Sequence, residues 1–215
     1  MIGCHNPAML ARLISYWVYG GLLAGLLLLV LSPLLLAGWP GPLAAAFFLL
    51  PTYMIHQYEE HDDDRFRRFF NATIGQGFDV LSPSVVFITN VPGVWGVIAL
   101  SLYGAAHLGL GWALVAVYLA LVNAFMHVVH AIVFRRYNPG LATAVAVFLP
   151  LGFHVLHLID EAGAGTVASH AIGLVIAIAI HAALLVLVRR KLAVMRRAQL
   201  GMAAPSFETG GGNSS

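Results

Sequence analysis

The chain has 215 residues, of which 60% are hydrophobic and only 9% charged, and its formal net charge is +2. A soluble domain carries about 25% charged residues, so that class is excluded. Cys4 is the only cysteine, which excludes an internal disulfide.

Six apolar runs follow in chain order, at about 11–37, 42–63, 84–106, 110–134, 140–159 and 168–189. A spanning helix needs roughly 20 mostly apolar residues. The runs are continuous and do not alternate, which predicts helices and not barrel strands. In the first run the apolar core from Leu22 to Ala37 is long, and no small-residue cleavage signature follows it. It reads as a retained helix, with "GWPGP" as the tight turn into the second. Residues 1–197 are therefore expected to form one all-α, polytopic bundle of six transmembrane helices. Residues 198–215 are small and polar and are expected to be a disordered tail.

Eleven basic residues set the topology. Arg12 precedes the first helix; Arg65, Arg67 and Arg68 lie between the second and third; Arg135 and Arg136 lie between the fourth and fifth. Arg189, Arg190, Lys191, Arg196 and Arg197 follow the sixth. The other three connections carry none, so the positive-inside rule puts both termini in the cytoplasm of an inner-membrane protein. Basic residues confined to helix ends argue against a nucleic-acid partner. The "NSS" at the end matches a glycosylation sequon, but a cytoplasmic terminus would not meet that machinery.

The second run, "LAAAFFLLPTYMI", passes without a break into His56, Glu59 and Glu60. Ionisable groups in hydrocarbon are costly and mark function or pairing. At about 100° per residue, His56, Glu59, Glu60 and Asp63 share one broad face, and His61 points elsewhere. The segment "DDDRFRRFF" after it reads as interfacial, with a lid or headgroup-binding loop as the functional alternative.

The third run offers Asn90. The fourth places Asn123, His127 and His130 at spacings of four and three, on one face. His127 lies about 12 Å inside the cytoplasmic end at 1.5 Å per residue, the same depth as His56. The fifth carries His154 near mid-membrane, with His157 and Glu161 further out, and the sixth brings His181 to the level of His127. His5, His107 and His170 lie outside this layer and need no special role.

A layer of imidazoles and carboxylates at one depth points to a metal centre. His56, Glu59, Glu60, His127, His130, His154 and His181 are the candidate ligands. Glu59 and Glu60 are also the candidate catalytic groups, one ligating while the other acts as general base. Asn90 and Asn123 would stand behind the ligands or against the substrate. The donor set suits zinc or iron, and there are enough ligands for a mononuclear or a dinuclear centre. "HQYEEH" is neither H-E-x-x-H nor H-x-x-E-H, so no protease is read from it.

The quoted segments "HQYEE" at 56–60, "NAFMH" at 123–127 and "RRYNPGLATA" at 135–144, with Pro150 after them, resemble the HXXEE domain family of small prokaryotic membrane proteins. The resemblance covers roughly residues 45–155 and implies that His56, Glu59, Glu60, Asn123 and His127 form the shared polar core. Asn138 stands in the turn where Ser is expected. From the residues themselves, "YNPG" reads as a structural turn closing a helical hairpin.

The function expected from these features is a metal-dependent membrane enzyme acting on a lipid or another apolar molecule. The H-x-x-H-H boxes of membrane di-iron oxidases are absent, so hydrolytic or other Lewis-acid chemistry is favoured over iron-dependent oxidation. The alternative is a proton- or metal-coupled transporter or channel built on the same cluster, although no inverted repeat is visible. A structural subunit held together by its polar layer ranks last, because interhelical hydrogen bonds average only about 0.6 kcal/mol. A homo-oligomer is compatible with the sequence.

Overall fold

The computed structural model describes residues 7–203 and is all-helical, with no strand among the described residues. Cys4, His5 and the final segment from residue 204 lie outside the described residues.

The first helix, α1, runs Pro7–Leu35. Gly38 turns the chain, and Pro40 in an extended conformation starts α2, Gly41–Phe47, with α3 at Leu49–His61 directly behind it. The break at Phe48 has a local cause. Pro51 has no N–H to give to the carbonyl four residues back, that of Phe47. Asp63 and Asp64, both in the left-handed region, redirect the chain into α4, Arg65–Thr73.

The same device recurs twice. Ser82 caps α5, Pro83–Ile88, through a hydrogen bond from the Val85 amide. Pro92 then frees the Ile88 carbonyl and opens a wide π-type turn over Thr89–Trp95 before α6, Gly96–His107. A short 3₁₀ turn leads into α7, Ala113–Phe134. After the 135–140 turn, α8 (Leu141–Thr143) opens into a π-type turn at Ala144–Phe148 and continues as α9, Leu149–Glu161, where Pro150 plays the same part. The last helix, α10, runs Val167–Ala203.

Five helical runs are long and apolar enough to cross a membrane: Ala8–Leu35, Pro83–His107, Leu110–Phe134, Leu141–Glu161 and Val167–Leu200. They correspond to five of the six predicted spans. The span expected at 42–63 is different. It is two short helices in line, α2 and α3, whose second half carries its polar residues inward: His56, Gln57, Glu60 and His61 are all buried. The expected end at 189 also moves, since α10 stays helical to Ala203 and takes in residues 198–203 of the expected tail.

The central helix is α7, in which Ala113, Leu114, Ala116, Val117, Leu119, Ala120 and Ala124 are fully buried. It packs against α6, α9 and α10, while α1 lies along α3. Small residues on α7 let its neighbours approach closely, as helix packing in lipid requires. Two clusters result. One surrounds α7 and includes Tyr53 and Phe148; the other joins Trp17, Val18, Phe70, Val80, Leu81, Val86, Val188 and Leu192. Outward faces carry exposed Leu, Ile and Val, such as Leu23, Val30, Leu100 and Ile132. Apolar surface of that extent suits lipid and not water.

Candidate metal centre

The polar residues of α3 and α7 meet where the two clusters join. The ring of His56 lies 4.5 Å from that of Phe148 and 5.7 Å from that of Tyr53, both in the first cluster. The ring of His61 lies 5.3 Å from both Trp17 and Phe66, in the second. Between them, His56, Glu60 and His127 each present one nitrogen or oxygen atom within 4.8 Å of the others'. All three are buried, His56 completely.

The outer faces of both imidazoles are tied. The Nδ1 of His127 donates to Asn138 Oδ1 at 2.6 Å, and Asn138 Nδ2 returns a bond to the His127 carbonyl at 2.9 Å. Asn138 is itself 1% exposed. The Nδ1 of His56 meets Thr143 Oγ1 at 2.7 Å. The Thr143 hydroxyl donates its single proton to Glu59 Oε2, so its oxygen accepts from His56 Nδ1–H. Each neutral ring is thereby fixed as the tautomer whose Nε2 carries the free lone pair.

Both lone pairs face Glu60. His56 Nε2 stands 3.6 Å from Glu60 Oε2, and His127 Nε2 stands 3.5 Å from Glu60 Oε1. These separations exceed the 2.7–3.2 Å of an ordinary N–H···O hydrogen bond. They approach the roughly 3.3–3.4 Å between ligand atoms of a tetrahedral ion bonded at about 2.0–2.1 Å. The Nε2 of His56 is fully buried and has no hydrogen-bond partner, a costly state for a polar atom. A divalent cation shared by the three would resolve it.

Gly140 shapes the space above the two rings. Its φ of +94° suits glycine, and a Cβ there would fall 2.6 Å from His127 Cε1, 2.9 Å from His56 Cε1 and 3.0 Å from His127 Nε2. The absence of a side chain is what lets the 135–140 turn close over both imidazoles.

Glu59, expected beside Glu60, goes elsewhere. Its Oε1 accepts from Tyr137 Oη at 2.5 Å and from the Ala142 amide at 3.0 Å. Its Oε2 accepts from the Thr143 amide at 2.8 Å and from the Thr143 hydroxyl. The two amides open the helix that starts at Leu141, so Glu59 caps another helix's N-terminus, where a carboxylate is favoured. Burial and then the bond to Glu59 push the Tyr137 hydroxyl up to about 12, so it remains a donor throughout the neutral range. With four donors on its two oxygens, Glu59 has no free lone pair suited to a ligand or a general base.

The other candidate residues lie as follows. His154 lies exposed on the outer face of α9, away from the centre. His181 donates to the carbonyl of Ala177 in its own helix at 2.8 Å. His130 is half-buried with its ring 5.9 Å from that of Phe134, outside the group of three. Asn123 lies one turn before His127, with its Oδ1 buried and unpartnered. Asn90 bonds to Gln57 at 2.9 Å and meets His61 Nε2 at 3.3 Å. His61, expected to face away, is buried with Nε2 3.1 Å from Glu60 Oε2. His170, given no role, bridges Tyr118 Oη and Asp160 Oδ1 at 2.8 Å each and fastens the α9–α10 connection to α7. In the 62–68 segment the arginines pair with neighbouring aspartates: Arg65 with Asp62, Arg67 with Asp64 and Asp79, Arg68 with Asp63.

The residues missed in sequence were His61, Tyr137, Asn138, Gly140 and Thr143. The signal for the last four was present in "YNPGLAT", whose turn character was visible while its proximity to two distant histidines was not.

The profile of a family described as a protein of unknown function with HXXEE motif matches residues 47–155. The match contains His56, Glu60, His127 and every residue that ties them. No curated protein and no solved structure matches the chain.

Proposed function

The chain belongs to the HXXEE-motif family, and from that premise we propose that it is a membrane-embedded metalloenzyme with His56, Glu60 and His127 as the protein ligands. The observation that carries this reading is the convergence of two tautomer-fixed Nε2 atoms on one buried carboxylate, at spacings too long for hydrogen bonds and close to those around a shared ion. Two imidazoles and one carboxylate form a donor set used by catalytic zinc sites, which keep a further position open. Iron binds the same donors. The absence of H-x-x-H-H boxes keeps hydrolytic or Lewis-acid chemistry ahead of oxidation.

A bound divalent metal would supply Lewis acidity and lower the pKa of water to near 7. The chain's own residues divide the remaining work. His56 and His127 offer nitrogen ligands, and Glu60 offers its carboxylate, with Oε1 towards His127 and Oε2 towards both His56 and, at 3.1 Å, His61. The exposed aliphatic faces around the bundle favour a lipid or another apolar substrate arriving from the side. In this reading α2 and α3 together make a sixth crossing, and the arginine-rich ends lie in the cytoplasm, as the positive-inside rule asks.

A transporter remains the second reading, supported by a partly buried polar chain that runs from Glu60 through His61, Asn90 and Gln57 to Trp95. It loses the outward track that the sequence suggested, because His154 and His157 face out of the bundle.

The test is to reconstitute metal-loaded protein with membrane lipid extract and follow lipid species by mass spectrometry, with His56→Ala beside it. Loss of one lipid class with only the unaltered protein supports the enzyme. Unchanged lipid together with metal or proton flux abolished by His56→Ala overturns it in favour of transport.

A further inference from the structure

The motif holds two adjacent glutamates, and the metal reading uses one. Around the helix axis Glu59 and Glu60 stand about 100° apart. Glu60 faces α7 and the imidazoles, whereas Glu59 reaches the 137–143 turn.

That turn is where both histidines are fixed from behind. Asn138 holds His127, and Thr143 holds His56. Thr143 is held in turn by Glu59 through its hydroxyl and its amide. A hydroxyl has one proton. With that proton committed to Glu59, the Thr143 oxygen facing His56 acts as an acceptor, and His56 Nδ1 must be the donor. Donation along His56–Thr143–Glu59 therefore runs in one direction, from imidazole through hydroxyl to carboxylate. It leaves the Nε2 lone pair of the ring aimed at Glu60. Carboxylates behind metal-bound histidines fix ring orientation and raise ligand basicity in this way.

We infer that Glu59 and Thr143 are positioning residues for the metal centre: the two glutamates of the motif act on opposite sides of the same ring, Glu60 at Nε2 and Glu59, through Thr143, at Nδ1. This rests on the metal reading above, and it assigns to Glu59 a role that is neither ligand nor base. It also gives the "NPGLAT" segment its part. The segment places Asn138, Gly140 and Thr143 against both rings at once, so the second half of the site comes prebuilt on one short stretch of chain.

The test uses Thr143→Val, which keeps the shape and removes the hydroxyl, and Thr143→Ser, which restores it. Metal affinity is measured by chelator competition, and the visible spectrum of the Co²⁺-loaded protein reports ligand geometry. Melting of the metal-free protein reports the fold. Thr143→Val is expected to bind about 10–100-fold more weakly, the usual cost of losing a partner behind a ligand, with altered Co²⁺ bands. Thr143→Ser should return both towards the starting values. Glu59→Gln should weaken binding in the same direction, and a double variant of Glu59→Gln with Thr143→Val should lose little more than Thr143→Val alone, because the two act in series.

If the unaltered protein binds metal and Thr143→Val matches it in affinity and spectrum, the positioning role is wrong while the metal centre stands. If the unaltered protein binds no metal, both are wrong. Equal losses in Thr143→Val and Thr143→Ser, with the melting point lowered equally in both, would also overturn the inference, since packing and not the hydroxyl would then be responsible.

Discussion

Replacing Gly140 with alanine perturbs the centre without touching a ligand. The cost has two parts. The backbone at Gly140 has φ +94°, and a residue with a Cβ in the left-handed region pays about 1–2 kcal/mol. The new methyl would also sit 2.6 Å from His127 Cε1 and 2.9 Å from His56 Cε1. Neither ring can yield easily. Each is tied at Nδ1, by Asn138 and by Thr143, and Phe148 lies 4.5 Å from the His56 ring. Overpacking of that kind costs about 1–3 kcal/mol. The total is roughly 2–5 kcal/mol, together with loss of metal binding as the rings are driven apart. Gly77 supplies the control, with φ +86° and nothing within 4 Å of a Cβ; Gly77→Ala should pay only the backbone part and keep its metal. Melting in detergent and metal content of the two variants check this. Equal melting points with full metal in both would refute the claim that the turn closes on the two imidazoles.

Three further outcomes are expected. His56→Ala and His127→Ala should each abolish metal binding by equilibrium dialysis, whereas His154→Ala and His181→Ala should retain it within about twofold, since neither side chain reaches the centre. Asn138→Leu should destabilise the protein in thermal melts by about 1–3 kcal/mol for the buried His127 Nδ1–H left unpaired, the His127 carbonyl keeping its helical bond within α7; Asn138→Asp, which keeps an acceptor for Nδ1, should lose less. His170→Ala removes two hydrogen bonds and should destabilise the protein by about 0.5–1.5 kcal/mol for each, read as a lower melting point, and leave metal affinity unchanged.

How much of this was legible in sequence depends on the kind of question asked. Depth could be counted, which set His56 and His127 at one level, and their rings lie 5.1 Å apart; the excess of apolar residues pointed to five of the helical spans. Rotation was harder. From Phe148, at the end of the π-type turn, into α9, the buried positions Phe148, Gly152, Val155 and Ile159 have spacings of four, three and four, an inward stripe that leaves His154 and His157 outside it. That pattern was readable, and counting depth alone passed over it. On α3 the position 40° from His56 is Glu60, and the position 60° to the other side is Glu59; both lie on one broad face, but opposite edges of it meet different neighbours. His61, some 140° from His56, still reaches Glu60 because it packs on Trp17 and Phe66, which come from distant parts of the chain. Tertiary closure of the 137–143 turn was beyond local pattern, since a proline–glycine turn looks the same whether it meets water or two histidines.

X-ray absorption at the metal edge of the purified protein tests the central claim most directly. The account predicts a bound divalent metal with two imidazole nitrogens and at least one oxygen at about 2.0–2.1 Å, with the imidazole signal reduced in His127→Ala. No bound metal after reconstitution with zinc and with iron, or an ion surrounded by oxygen alone, would contradict it.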